Sequence, residues 1–509
     1  MLCILALCLG FGIIAARTLP SLENRSKSTA FADTGDTRLG KAISPLVAAH
    51  PGKTGIYLLL DSHTAFSARV LLAGAAERSL DVQYYIWRND MSGTMLFEAL
   101  HAAADRGVRV RLLLDDNNTS GLDTTLAALD AHPNIEVRLF NPFVIRRPRW
   151  IGYVTDFFRL NRRMHNKSFT ADNQAAIMGG RNVGDEYFGA AEGMLFADAD
   201  VIAAGPVVHE VSKDFDRYWA SESSYPADRL LPPVDPDTLA ELASRASLIE
   251  RDPEAAAYKN ALRNSPLFRE MAEGRLELEW AATRMVSDDP AKGLGLAPPE
   301  ALLPEKLMQI IGEPATALYL VSPYFVPTAA GTAAFVAMAE RGVKISVLTN
   351  SLEATDVSVV HAGYEKRRKP LLKAGITLFE MRSLSADPYK KEKAGPFGSS
   401  GSSLHAKTFS VDGSCAFIGS FNFDPRSANL NTEMGCVISS PALAQRIEAA
   451  FYSGIPANAY QVRLSDTGSL YWVEHRLDGP VRYNSEPGTG FWRRTWVRFA
   501  SYLPIEWLL

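Results

Sequence analysis

Cysteine is scarce in this sequence. Of 509 residues only four are cysteine, at Cys3, Cys8, Cys415 and Cys436. Thiols so few and so scattered build no disulfide framework, and none of their spacings suits zinc. Long apolar runs are missing too. None reaches the roughly 18 residues of a spanning helix, which excludes a polytopic membrane protein. There is no excess of positive charge: Lys and Arg number 53 against 57 Asp and Glu, a net charge of −4. A protein that grips duplex nucleic acid through its phosphates usually carries a basic balance, so none is expected as a partner. Low complexity is confined to GPFGSSGSS (395–403), which reads as a loop. What remains, 47% hydrophobic and 22% charged residues, is ordinary globular material for about two to four domains.

The two ends carry apolar signals. Leu2 to Ala16 (LCILALCLGFGIIAA) would rise only about 22 Å as a helix, short of a bilayer core near 30 Å. Residues 1–17 are therefore expected to be a leader or short membrane anchor, followed by a polar linker over 18–50 that drapes on the first domain. Near the other end, Trp492, Trp496, Phe499 and Leu503 share one face of a helix while Arg493, Arg494 and Arg498 lie elsewhere. That pattern suits a helix lying at a membrane surface. It equally suits one docked on the protein's own core.

Between the ends the chain repeats itself. LDVQYYIW (80–87), GTMLFEALHAAADRGV (93–108) and VRVRLLLDD (108–116) are answered by LYLVSPYFV (318–326), GTAAFVAMAERGV (331–343) and VKISVLTNS (343–351). Strand, helix, strand, then a further helix and strand, predicts α/β units with largely parallel sheets flanked by helices. The expected divisions are a first domain over 51–222, a helical connector over 223–305, a second domain over 306–460 and a C-terminal extension over 461–509. The basic run Lys366 to Lys369 reads as a solvated helix face, and Asp115 and Asp116 as the polar end of a strand.

The chemistry is duplicated with the fold. MHNKSFTADNQAAIMGGRN and LHAKTFSVDGSCAFIGSFN both hold His-x-Lys and then, after four intervening residues, Asp: His165, Lys167, Asp172 and His405, Lys407, Asp412. In extended chain, residues two apart share a face, so His and Lys project together. Lysine offers fixed positive charge to a phosphate oxygen, and histidine can attack phosphorus or pass a proton near neutral pH. The aspartates lie beyond the strand, where they can tie a loop. Asn182 and Asn422, with Ser420 in the second copy alone, can donate to the same phosphate. One copy offers half a site. Two copies face to face would surround one phosphate with two His, two Lys and two Asn.

Paired motifs of this kind resemble the phospholipase D superfamily. Further segments, LDVQYYIW, ATDVSVVHAGY (354–364), GSSLHAKTF and the terminal LPIEWLL, resemble bacterial cardiolipin synthases of the C type. The resemblance implies two phospholipase-D-like domains packed as a pseudo-two-fold pair around one shared site. It implies His165 as nucleophile and His405 as acid and base. Glu433 would orient a catalytic histidine, with Asp200 (or Asp198) as its counterpart. No metal or cofactor is implied, because Lys167 and Lys407 would stabilise the charge. The implied function is phosphatidyl transfer from phosphatidylglycerol or phosphatidylethanolamine to phosphatidylglycerol at the bacterial inner membrane. Hydrolysis to phosphatidic acid is the nearest alternative, and a nucleic-acid phosphodiesterase a more distant one. His361 and Tyr364 could line a headgroup pocket or simply serve their helix.

Overall fold

The computed structural model describes residues 18–189, 198–235, 237–251, 276–355, 357–383 and 404–509. The expected leader (1–17) and the Gly/Ser tract (395–403) lie outside them. Residues before β1 (Thr54–Leu59) lie against the first half. Arg25 donates to the carbonyls of Ser221 and Ser224, while Arg138 and Arg111 reach back to the carbonyls of Ser26 and Ser28. Residues 38–48 form a helix.

Each repeat begins with a β-α-β-α-β unit. In the first, β2 (Ser79–Ile86), β3 (Arg109–Asn118) and β4 (Ile135–Phe140) run parallel. In the second, β10 (Ala317–Val321), β11 (Lys344–Asn350) and β12 (Thr377–Met381) do the same. All eight residues of β2 are buried, as expected for a strand covered on both faces. Helix α1 (Ser62–Ala75) precedes β2 and α2 (Met91–Asp105) links β2 to β3.

The parallel order stops at these triplets, so each sheet is mixed rather than largely parallel. The cause is loop length. β5 (Ser168–Ala171) and β6 (Ala175–Gly179) are joined by three residues, as are β13 (Lys407–Val411) and β14 (Cys415–Gly419), and so short a link allows only a hairpin. β7 (Asp200–Ala204) continues the first hairpin and β15 (Met434–Ser439) the second. β5 lies against β2 and β13 against β10, both antiparallel.

The stretch expected to be a helical connector is partly strand. β8 (Ser224–Pro226) pairs with β4. β9 (Glu279–Ser287) pairs through Glu279–Ala281 with β1 (Thr54–Leu59) and through Ala282–Ser287 with β15. Alanine, arginine and methionine give β9 a helical composition, but the open edges of β1 and β15, met one after the other along its length, override that propensity. One strand therefore stitches the two sheets together. Helix α3 (Pro206–Trp219) packs behind it, and a helix over Thr238–Arg251 follows β8.

In the second half the linking helix is α4 (Thr328–Glu340), and α5 (Ser358–Glu365) follows β11. The C-terminal helix α6 (Phe491–Ser501) rests on Leu352 and Ala362 through Val497 and Ala500. The stripe read from the sequence faces outward: Trp492 is 81% exposed and Trp496 53%. No helix among the described residues is long and apolar enough to cross a membrane.

Candidate active site

The two motifs occupy equivalent places, on the extended entry to β5 and to β13. Their aspartates do structural work. Asp172 and Asp412 sit in the hairpin turns with φ of 50° and 52°, a left-handed conformation that Asp tolerates. Asp172 accepts from the backbone amides of Glu77, Arg78 and Ser79, at the start of β2. Asp412 accepts from those of Ala315, Thr316 and Ala317, at the start of β10. Each aspartate thus ties the motif hairpin to the neighbouring strand, away from the histidines.

The histidines are held crosswise. His165 comes from the first half, and its Nδ1 lies 2.8 Å from Glu433 Oε2 of the second. His405 comes from the second half, and its Nδ1 lies 2.8 Å from Asp198 Oδ2 of the first. Chain contacts enforce the crossing: the His165 amide donates to the Thr432 carbonyl, and the Thr432 amide to the Arg163 carbonyl. With Nδ1 of each ring held by a carboxylate, Nε2 is the nitrogen through which each would act on a substrate.

Asp200, the counterpart expected for Glu433, is placed elsewhere. Its carboxylate meets Arg69 at 2.8 Å and Arg181 at 3.1 Å, all three buried. Register explains the difference. Gly179 pairs with Asp200 where Gly419 pairs with Gly435, so Asp198, two residues earlier, matches Glu433. The sequence hides this equivalence because 19 residues separate Gly179 from Asp198 and 14 separate Gly419 from Glu433.

Ser420 also differs from its expected part. Its hydroxyl donates to the Glu433 carboxylate and accepts from the Met434 amide at 3.0 Å, so its one proton serves the His165–Glu433 pair. Gly180 holds the matching place. A Cβ there would come within 2.6 Å of Asp198 Oδ1, which leaves no room for a serine. Asn182 and Asn422 are both buried. Asn182 Oδ1 accepts from the Ile86 amide, while its Nδ2 meets no partner among the described residues. Such an amide is a donor in search of an acceptor.

Lys167 and Lys407 are each 1% exposed and donate to the carbonyls of their own histidines. Burial, followed by the charges of Lys167 and Lys407, pushes the His165 imidazole well below its ordinary value. Burial and then Lys407 lower His405 to about 4, against the pull of Asp198. Burial brings Lys167 down to about 7 and, against the pull of Lys167, raises Glu433 to about 7. Asp198 is also pushed up by burial, but His405, Arg181 and Lys407 outweigh this and hold it well below the usual carboxylate range. Each imidazole feels both ammonium groups, so the two half-sites form one electrostatic unit that titrates as a set.

Several contributors escaped the sequence reading. Tyr85 packs edge-on against the His165 ring at 4.9 Å and Tyr187 against His405 at 5.3 Å. Arg426 is half-buried, and its charge is felt by His165. Asp115 is more than the polar end of a strand. It pairs with Arg163 at 3.0 Å and accepts from the Met164 amide, which fixes the chain just before His165. Asp116 anchors Arg146 at 2.9 Å.

His361 and Tyr364 lie outside the site, in the packing between α5 and its neighbours. His361 Nε2 meets Glu486 at 2.9 Å, and Tyr364 lies under the Arg368 guanidinium at 4.7 Å. The basic run is less solvated than expected. Arg368 is buried between Glu380 and Glu486, while Lys366 and Arg367 pair with Glu506.

Known proteins match this arrangement. The family described as "Cardiolipin synthase, PLD-like domain" matches residues 71–219 and 307–454, one span per half. Cardiolipin synthase C of Escherichia coli K12 is 52% identical over 93% of this chain and 100% of its own length. Cardiolipin synthase A of Pseudomonas entomophila is 26% identical over 78% of this chain and 68% of its own. The crystal structure of phosphatidylserine synthase from Haemophilus influenzae Rd KW20 shares the fold, with a TM-score of 0.50 and 12% identity, covering 82% of this chain and 91% of that one. Two motif-bearing halves, a crossed pair of carboxylate-held histidines and these likenesses together place the chain in the cardiolipin synthase family of phospholipase-D-like proteins.

Proposed function

We propose that this protein is a membrane-associated phosphatidyltransferase that makes cardiolipin in two displacements at one phosphorus. The crossed pairs His165–Glu433 and His405–Asp198 carry the reading, because each ties an imidazole of one half to a carboxylate of the other and both imidazoles feel the same two ammonium charges. His165 Nε2 attacks the phosphorus of the donor lipid. The bond from phosphorus to the headgroup oxygen breaks, and His405 gives that oxygen its proton. The leaving group is glycerol from phosphatidylglycerol or ethanolamine from phosphatidylethanolamine. His405 then takes the proton of a phosphatidylglycerol hydroxyl. The freed oxygen attacks phosphorus, the phosphorus–nitrogen bond breaks, and cardiolipin leaves.

The electrostatics support these roles. A strongly lowered pKa keeps His165 neutral and nucleophilic. A bound phosphodiester anion offsets the two ammonium charges and raises His405 towards the proton it must donate. Lys167 and Lys407 supply the positive charge, with Asn182 and Asn422 as amide donors to the phosphoryl oxygens. Glu433 and Asp198 hold the imidazole tautomers and stabilise each imidazolium as it forms. The outward aromatic stripe of α6, with Arg494 and Arg498 beside it, suits the interface of the bacterial inner membrane.

Product analysis tests the reading. Purified protein is given phosphatidylglycerol, with and without phosphatidylethanolamine, in buffer containing EDTA. Cardiolipin is expected, and none from His165→Ala at unchanged circular dichroism. Phosphatidic acid as the main product would mark a hydrolase. A turnover that EDTA stops and added metal restores would overturn the assignment of the charge to the lysines.

A further inference from the structure

The second half contains an apolar groove of about 510 Å³, within the size range of small-ligand sites. Leu307, Phe335, Met338, Phe409, Phe421 and Phe423 are among the residues that line it. The first half fills the same place. There α1 and α2, which flank β2, bury nine residues each. In the second half the helix before β10 (Leu303–Ile311) buries two, Leu303 and Leu307, and α4 buries two, Thr332 and Phe335. The groove is the space left between those two loosely packed helices.

The loop that brings Phe421 and Phe423 to the groove also reaches the site. Along Ser420–Phe423 the chain alternates. The Ser420 hydroxyl turns to Glu433, at the His165 pair, whereas Phe421 and Phe423 line the groove. One loop is therefore the wall of both spaces. Met308, at the groove, is 51% exposed, which leaves the lining reachable from outside.

We propose that this groove takes one fatty acyl chain of a phospholipid substrate while the phosphate of that lipid lies between the two histidines. The inference rests on the transfer reading above. An acyl chain is the one part of such a substrate that an apolar wall sharing a loop with the phosphate site can hold. Its asymmetry gives the two halves different tasks, with the extended lipid contact on the second.

The test uses the full chain in mixed micelles with phosphatidylglycerol that carries a diazirine in one acyl chain. After irradiation, adducts are mapped by mass spectrometry. Adducts are expected within 303–311 and 328–340, and Ala334→Trp, at an exposed position lining the groove, removes them. In the same variant KM for long-chain phosphatidylglycerol rises about ten-fold, the loss of roughly two buried methylenes, while dihexanoyl phosphatidylglycerol is turned over as before. Adducts confined to other segments, or no adducts because residues 252–275 or a second copy of the chain fill the groove, overturn the inference. Failure of the transfer reading shows separately, as an absence of lipid product from the unmodified protein with either substrate.

Discussion

At the scale of single residues, two neighbouring aspartates do different work. Asp198→Asn keeps the shape of the side chain but loses the charge that holds His405. We expect a loss of turnover of roughly 10²–10⁴-fold at an unchanged melting temperature, in line with the loss of an orienting carboxylate elsewhere. Asp200→Ala leaves Arg69 and Arg181 buried without their partner. That should destabilise the fold by about 3–5 kcal/mol, read as a lower denaturant midpoint. The reverse pattern would restore Asp200 as the orienting group. Both histidines, both lysines and both asparagines were legible in the sequence, because their spacing repeats, and Glu433 through the family resemblance. Asp198 was legible only as the second choice behind Asp200, because an insertion shifted it. Tyr85, Tyr187 and Arg426 were not legible, because an aromatic ring or a half-buried arginine announces itself only once its neighbours are known. The Lys167 ammonium, lowered by burial to about 7, titrates in one set with Glu433, raised to about 7, and its loss of charge governs the alkaline side of the pH response. As pH rises through that value the free protein loses positive charge from the phosphate site, so kcat/KM should fall above about pH 7. An ordinary lysine, at 10.5, would keep its charge much further. A kcat/KM profile that stays flat to pH 9 would contradict this.

At the scale of elements, the C-terminal helix docks on the protein's own core and keeps outside the stripe that a membrane-surface role would need. It docks through the narrow pair Val497 and Ala500 and leaves the broad stripe of Trp492, Trp496 and Phe499 outside. Replacing those three with serine should lower binding to anionic vesicles at least ten-fold in a sedimentation assay, with little change in melting temperature. Val497→Asp should instead undock the helix and lower that temperature. The β-α-β triplets were readable because buried strands and alanine-rich helices carry strong periodic signals. β9 was not: a strand that completes the edges of two sheets in turn needs no strand-like composition of its own. The basic run was misjudged for a related reason. Arg368 is buried because Glu380 and Glu486, distant in sequence, arrive to meet it.

At the scale of the whole molecule, each histidine depends on a carboxylate from the other half. A preparation of His165→Ala mixed with one of His405→Ala should therefore stay inactive, because every chain builds its one site from its own two halves. Recovered cardiolipin formation in the mixture would show that halves exchange between chains. The crossing also has a consequence for how such a site can change. Two identical subunits meeting across a symmetry axis would be bound to place the same residue on both sides. One continuous chain, sewn along β9, has no such obligation. It can keep a glycine on one side and a serine on the other, fill one flank and hollow out its twin, and so bring two unlike molecules to a single reacting atom.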